Sequence, residues 1–248
     1  MIAEGHRTPF ANRLPAALSN EASASVAALV AGALAANFRG KLCDTVLRDG
    51  APLHFPKGAR LYDVGDERRT FFFIRHGIVK VGRITPEGHE IIYDLRKDGA
   101  VVGELCVHET PRRERAVALA ATQAVAVPYD RVFEVLQRNG PALQQFLESI
   151  CQVLADAYGQ VDLLSTRDTL ARLSRVLLRL AAEFGRPAGD LIEIDAYFTQ
   201  EEIAQMTAVS REKISRALNR LRERGIVRYS RGGHLLIDSR ALAALPCE

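Results

Sequence analysis

No two of the four cysteines form a C-x-x-C pair: Cys43, Cys106, Cys151 and Cys247 are scattered along 248 residues. That spacing fits neither a zinc site nor an iron–sulfur cluster, whose thiolates come in close sets. The thiols are expected to be reduced. No H-x-H pair occurs either, and His54, His76, His89 and His108 stand alone. A cupin-like jelly-roll enzyme would need such a pair, a glutamate and a later histidine. A P-loop and a nucleophile–base motif are also missing, so neither a metal nor an enzymatic activity is expected. Long apolar runs are lacking too. Residues 1–10 have no apolar segment that could act as a secretion signal. The longest apolar stretch, 22–38, is alanine-rich, is interrupted by Ser23, Ser25 and Asn37, and is too short to span a bilayer. A cytoplasmic protein with no membrane partner is expected. The charge surplus is small, 33 basic against 30 acidic residues, net +3. A nucleic-acid partner would have to show in local clustering.

Hydrophobic residues make up 48% and charged residues 25%, a globular composition with room for two ordinary domains. Over residues 1–40, Val26, Leu29, Val30, Ala33 and Leu34 recur at helical spacing and predict a helical extension. From 41 to 136, glycines at 50, 58, 65, 77, 88 and 99 recur every 7 to 12 residues, the rhythm of short strands and turns. Thr85-Pro86-Glu87-Gly88 reads as a type I turn and Lys97-Asp98-Gly99 as another. Ile91, Tyr93 and Leu95 alternate with polar neighbours, Ile92 excepted, as in a half-buried strand.

A long helix is predicted from Pro141, within 137–167. Leu143, Leu147, Ile150, Leu154, Ala157, Val161 and Leu164 are spaced 4-3-4-3-4-3, an a/d heptad seam. Phe146 and Val153 widen the stripe, as they would in a helix packed only within its own chain. A parallel two-helix coiled coil between subunits fits the seam better, with Ala157 allowing close approach.

Residues 168–248 return to helices. Leu170, Leu173, Val176, Leu177 and Leu180 form one stripe. Thr199-Gln200-Glu201-Glu202 is a capping box opening a short helix. After a break at Thr207-Ala208-Val209, Ser210 caps a second helix, with Glu212 in its first turn. Ile214, Ala217, Leu218 and Leu221 mark its buried face. Residues 210–224 carry six basic and two acidic residues, a net +4 that exceeds the whole chain's +3. The segments 226–229 and 234–237, joined by Ser230-Arg231-Gly232-Gly233, read as a hairpin wing. Together these are a helix-turn-helix. Arg211 and Arg216 could fork onto guanine and Glu212 could accept from cytosine. Lys213, Arg220 and Arg222 suit phosphates. Thr199, Gln200, Ser210 and Ser215 complete the candidate DNA-facing set.

Residues 199–218, TQEEIAQMTAVSREKISRAL, resemble the helix-turn-helix of the cyclic-AMP receptor protein / fumarate–nitrate regulator (CRP/FNR) family. The family pattern S-R-E-x-x-x-R lands on Ser210, Arg211, Glu212 and Arg216, and the resemblance implies that the last three read bases. Ser215-Arg216 also matches the E-x-x-S-R variant of the anaerobic regulators, with Glu212 as its glutamate, so the operator stays open. One departure is Ala208, where many members have glycine; a left-handed backbone there would cost alanine about 1 kcal/mol. Upstream, Phe55-Pro56-Lys57-Gly58, Gly65-Asp66, Pro86-Glu87-Gly88-x-Glu90, Gly99 and Gly103-Glu104-Leu105 are similar to the family's cyclic-nucleotide-binding jelly roll. The resemblance spans about 45–240. It implies an α+β fold: an N-terminal β jelly roll of the cyclic-nucleotide-binding type, a long dimerisation helix and a C-terminal winged helix-turn-helix. It further implies a homodimer, a pseudo-palindromic operator in double-stranded DNA, and RNA polymerase as a partner.

For the effector, the resemblance implies a cyclic nucleotide or cyclic dinucleotide held by Gly103, Glu104 and Leu105, by Arg115 and Ala116, and by Tyr158. Glu104 matches the glutamate that holds a ribose hydroxyl. Arg115-Ala116 keeps the phosphate-binding arginine of an R-S or R-T pair but loses its hydroxyl. Ala157 and Tyr158 replace the threonine and serine of the prototype's dimer helix. The run Arg112-Arg113-x-Arg115 could suit two phosphates, or could be a solvated loop. An effector-independent, redox-sensing or haem-sensing member is the alternative; only Cys43 lies near the N-terminus for a cluster, and His76 or Cys106 could serve haem.

Overall fold

The structure is a computed structural model that describes residues 50–107, 111–195, 198–230 and 232–245. The predicted extension over 1–40, with its Val26–Leu34 stripe, lies outside the described residues, as do Cys43, His108, Arg231 and Cys247.

Eight strands build a roll: β1 (Ala51–Phe55), β2 (Arg60–Tyr62), β3 (Thr70–His76), β4 (Ile78–Ile84), β5 (Glu90–Lys97), β6 (Val101–Val102), β7 (Arg115–Ala118) and β8 (Thr122–Pro128). They pair as two four-stranded sheets, β1-β8-β3-β6 and β2-β7-β4-β5. The predicted turn closes the β4–β5 hairpin: the Gly88 N–H donates to the Thr85 carbonyl at 2.9 Å, with φ +84° at Gly88. Between the sheets lie Tyr62, Phe72, Ile74, Val79, Ala116, Ala118 and Ala124. The outer face of the first sheet presents Phe71, Phe73, Val125 and Val127. Helix α1 (Tyr129–Gln137) and the start of α2 (Gly140–Ser165) cover it with Val132, Leu136, Ala142 and Phe146.

In β5 the expected alternation is overturned by a bulge. Ile92 pairs with Gly82 and Asp94 with Val81, so Tyr93 is the extra residue. Ile92 is buried and Tyr93 exposed, the reverse of the pattern. A Cβ on Gly82 would lie 2.0 Å from the Ile91 carbonyl oxygen, so only glycine lets the bulge pass.

Helix α2 starts where expected. The Asn139 side chain accepts from the Ala142 N–H, and Pro141 sits in the first turn. Asp168 caps α3 (Thr169–Phe184), which buries Leu173, Val176, Leu177 and Leu180. A hairpin that the sequence pattern did not reveal follows, β9 (Arg186–Ala188) and β10 (Leu191–Ile194). Then come α4 (Gln200–Thr207), α5 (Arg211–Glu223), β11 (Val227–Tyr229), β12 (Leu235–Ile237) and α6 (Ser239–Ala243). The small sheet runs β11-β12-β10-β9, with the expected wing as its β11–β12 edge. Its core continues onto the outer face of the second roll sheet through Ile78, Ile92, Leu95 and Leu119.

Candidate DNA-reading surface and effector site

Helix α4 opens on both bonds of the capping box. The Glu202 N–H donates to Thr199 Oγ1 at 3.3 Å, and the Thr199 N–H donates to Glu202 Oε2 at 3.2 Å. The helix ends at Ala208 with φ 49° and ψ 42°, left-handed. This is the glycine-favouring geometry anticipated at that position. Ser210 follows as the residue preceding α5, but its side chain makes no cap to the backbone. Its hydroxyl instead bonds to Glu212. The carboxyl of Glu212, fully exposed, is held below the usual range first by the helix-end backbone N–H and then by Ser210. Ile214, Ala217, Leu218 and Leu221 pack inward on Ile203, Ala204 and Met206. Arg211, Glu212, Lys213, Arg216, Asn219, Arg220 and Arg222 are all exposed, with Ser215 half-buried among them. Arg216 Nε donates to the Glu212 carbonyl at 3.4 Å, and Arg222 Nη1 to Asn219 Oδ1 at 3.1 Å. Thr199 and Ser210 are exposed and Gln200 is half-buried.

Helix α2 buries Ala142, Phe146 and Leu163 against its own chain. Opposite them, Leu143, Leu147, Leu154, Tyr158, Val161 and Leu164 are 37% to 63% exposed, an apolar strip along the helix. Ala157 is exposed with them, while Ile150 is half-buried against the roll helices.

The expected effector residues are not brought together. In the antiparallel β4–β7 pair, Arg115 lies opposite Gly82 and Ala116 opposite Val81. Ala116 therefore faces the roll interior, and Arg115 faces outward. Outside, Arg115 pairs with Glu90 Oε1, and Lys80 Nζ holds Glu90 Oε2 at 2.9 Å. Burial alone would raise the Glu90 carboxyl, the largest single effect. The hydrogen bonds and charges of Lys80 and Arg115 outweigh it and hold the group below the usual range. Glu104 does stand at the interior, at the start of a 3-10 turn (Glu104–Val107), but Arg96 occupies it at 3.0 Å. Arg96 also reaches Asp94 at 3.1 Å. Leu105 is half exposed to solvent, Arg113 is exposed, and Tyr158 lies on the α2 strip. Of the haem candidates, Cys106 is buried, its thiol pushed up by that burial, and His76 is a surface residue beside Asp98.

Sequence reasoning missed Arg96, Tyr62 and Glu114 on the inside, and named Arg112 only as part of the basic run, which the structure splits between a buried Arg112 and an exposed Arg113. Arg112 stacks 3.9 Å above the Tyr62 ring, and the Tyr62 hydroxyl donates to Glu114 at 3.3 Å. Burial, then the charge of Glu104, pushes the Glu114 carboxyl up; burial first does the same to Tyr62. Asp156, on α2, is likewise raised by burial, and its Oδ2 has no hydrogen-bond partner. The parity of the run 112–115 was the available signal.

Polar bonds tie the roll and α2 to the C-terminal helices. Lys80 Nζ donates to Gln205 Oε1 of α4 at 3.1 Å. Arg179 of α3 holds Asp94 of β5 at 2.6 Å, and Gln160 donates to the Met206 carbonyl at 3.0 Å. Arg172 joins the Leu164 carbonyl at 2.9 Å to that of Thr207 at 3.3 Å.

The fold is a β roll joined by a long helix to a winged helix-turn-helix. The profile of the cyclic nucleotide-binding domain matches residues 52–139, and that of the Crp-like helix-turn-helix domain matches 171–245. A CRP-like cAMP-activated global transcriptional regulator of Mycobacterium tuberculosis is 29% identical over 193 residues, 77% of this chain and 86% of that protein. The global nitrogen regulator of a Nostoc species is 27% identical over 176 residues, 70% of this chain and 79% of its own. Among solved structures, FixK2 from Bradyrhizobium japonicum superposes with a TM-score of 0.70 at 18% identity, covering 80% of this chain and 98% of that one. The chain belongs to the CRP/FNR family. It is a DNA-binding transcription regulator and not an enzyme. No helix among the described residues is long and apolar enough to cross a membrane.

Proposed function

We propose that the chain acts in the cytoplasm as a homodimer that reads a pseudo-palindromic site in double-stranded DNA, in concert with RNA polymerase. Residues 41–136 sense a small effector, 137–167 dimerise and 168–248 bind DNA. The seam Leu143, Leu147, Ile150, Leu154, Ala157, Val161 and Leu164 joins the subunits. Arg211, Glu212 and Arg216 read base edges. Lys213, Arg220 and Arg222 hold phosphates, helped by Thr199, Gln200, Ser210 and Ser215. The observation that carries this reading is the exposed polar face of α5, strongly basic and presented after a left-handed turn.

By its name, the mycobacterial relative responds to cyclic AMP. A cyclic nucleotide or dinucleotide is the effector class the kinship suggests. In this chain Glu104 must then leave Arg96, and Arg115 must leave Glu90 and turn inward. The test is selection of an operator from random duplexes, followed by calorimetry with cyclic AMP, cyclic GMP and cyclic di-GMP. A selected pseudo-palindrome bound far above scrambled DNA is expected. A protein that prefers no duplex overturns the DNA reading. Tight operator binding without heat from any nucleotide overturns the nucleotide reading alone.

A further inference from the structure

An open pocket of about 430 Å³ lies at the side of the roll between the edge strands β1 and β2. That volume lies in the range of small-molecule sites. Leu53, Phe55, Leu61, Phe72 and Ala126 make its walls apolar. Neither Arg96 nor Glu104 lines it.

Its polar end is Arg112, which is only 3% exposed. The guanidinium donates to the carbonyls of Thr70 at 2.6 Å, Gly103 at 3.3 Å and Arg68 at 3.4 Å. Nε has no partner. Carbonyls orient a guanidinium without neutralising it. The nearest carboxylate, Glu114, forms a long ion pair with it at 3.9 Å and also accepts from the Tyr62 hydroxyl. Arg112 is therefore a buried cation held by carbonyls and one long ion pair, and a closer anion would be favourable beside it. Arg68 adds a second cation at the wall against one carboxylate, Asp66.

The backbone is arranged for this guanidinium. The Gly65 N–H donates to the Arg112 carbonyl and the Arg112 N–H to the Asp66 carbonyl, both at 2.9 Å. At Gly103, with φ +92°, a Cβ would sit 2.8 Å from the Thr70 oxygen and 3.1 Å from both terminal nitrogens of Arg112. Glycine there leaves the room that Arg112 fills.

We propose that this pocket is the effector site and that its ligand is a small apolar monoanion, a carboxylate on an alkyl or aryl body. The carboxylate meets Arg112, and the body lies against Leu53, Phe55, Phe72 and Ala126. A ligand carboxylate could approach Arg112 more closely than Glu114 does at 3.9 Å, and the walls offer little to the hydroxyls of a sugar. The proposal rests on the reading that the roll senses a small molecule.

The test is calorimetry on the full chain with octanoate, octylamine, octanol and cyclic AMP. Octanoate should bind once per chain, at least tenfold tighter than octylamine or octanol. Arg112→Gln should weaken octanoate tenfold or more. Arg68→Gln, a surface change that leaves the fold intact, should weaken it two- to threefold. Ala126→Phe, which fills the pocket, should abolish it. Absent octanoate binding, equal affinity for octylamine, or undiminished binding by Ala126→Phe overturns the proposal. Cyclic AMP binding without octanoate binding overturns it too, while sparing the sensing role of the roll. Octanoate that binds but leaves affinity for the selected operator unchanged overturns the effector role.

Discussion

Ala208 is the only non-glycine residue with positive φ among those described. Its Cβ costs about 1–2 kcal/mol in that conformation. Glycine would remove this cost but add about 0.5–1 kcal/mol of unfolded-chain freedom. Ala208→Gly should therefore stabilise by about 0.5–1 kcal/mol and raise Tm by about 1–3 °C. A lower Tm in a calorimetric scan would show that the methyl makes packing contacts worth more than the strain. Glu90 is the other residue whose removal has a readable sign. Its carboxyl is held below the ordinary value by Lys80 and Arg115, so its contribution is present above the unfolded value and lost as pH falls through the folded one. Glu90→Gln should cost about 1–3 kcal/mol at neutral pH by leaving two cations under-paired. The gap to wild type should close below about pH 4. A gap that persists unchanged in acid denaturation curves would mean that the charge on Glu90 does not matter.

At the scale of elements, the α2 strip makes the sharpest demand. Its leucines and valine lie in water in a single chain and gain only if a second helix covers them. Leu154→Glu should set two carboxylates against each other in that seam and give monomers by light scattering, with operator affinity lost alongside. A variant that stays dimeric would place the interface elsewhere. Helix α2, the turn at Ala208 and the wing were legible because caps, heptads and turn residues act over a few positions. The sensor was less so. A strand alternates with period two, so one extra residue flips every side chain beyond it. The bulge at Tyr93 did this to β5, turning Asp94 and Arg96 inward and sending Ile92 and Leu95 to the helices. The same parity put Arg115 outside, although its motif implied an inner role. The β9–β10 hairpin was hidden because Gly185-Arg186-Pro187 reads as a helix stop and carries no strand pattern.

At the scale of the molecule, the roll and the helix-turn-helix share one apolar core and several polar bonds. Glu90 touches both Arg115 and Lys80, and Lys80 touches Gln205 on α4, so a change at the sensor has a short route to the DNA-reading unit. What that unit does depends on symmetry. A two-fold pair of α5 helices should enter successive major grooves, with half-sites about 34 Å apart or a multiple of it. Within one half-site the roles of the basic residues are separable by salt. Arg216→Ala should cost about 1–3 kcal/mol on the operator and far less on scrambled DNA, because it removes a bidentate base contact. Lys213→Ala or Arg222→Ala should weaken both DNAs alike and lower the salt slope by about one, because a phosphate contact releases counterions without reading sequence. Salt titrations of each variant on both DNAs decide it. Equal losses on operator and scrambled duplex for Arg216→Ala would remove that residue from the base-reading set and leave Arg211 and Glu212 to carry the specificity of α5.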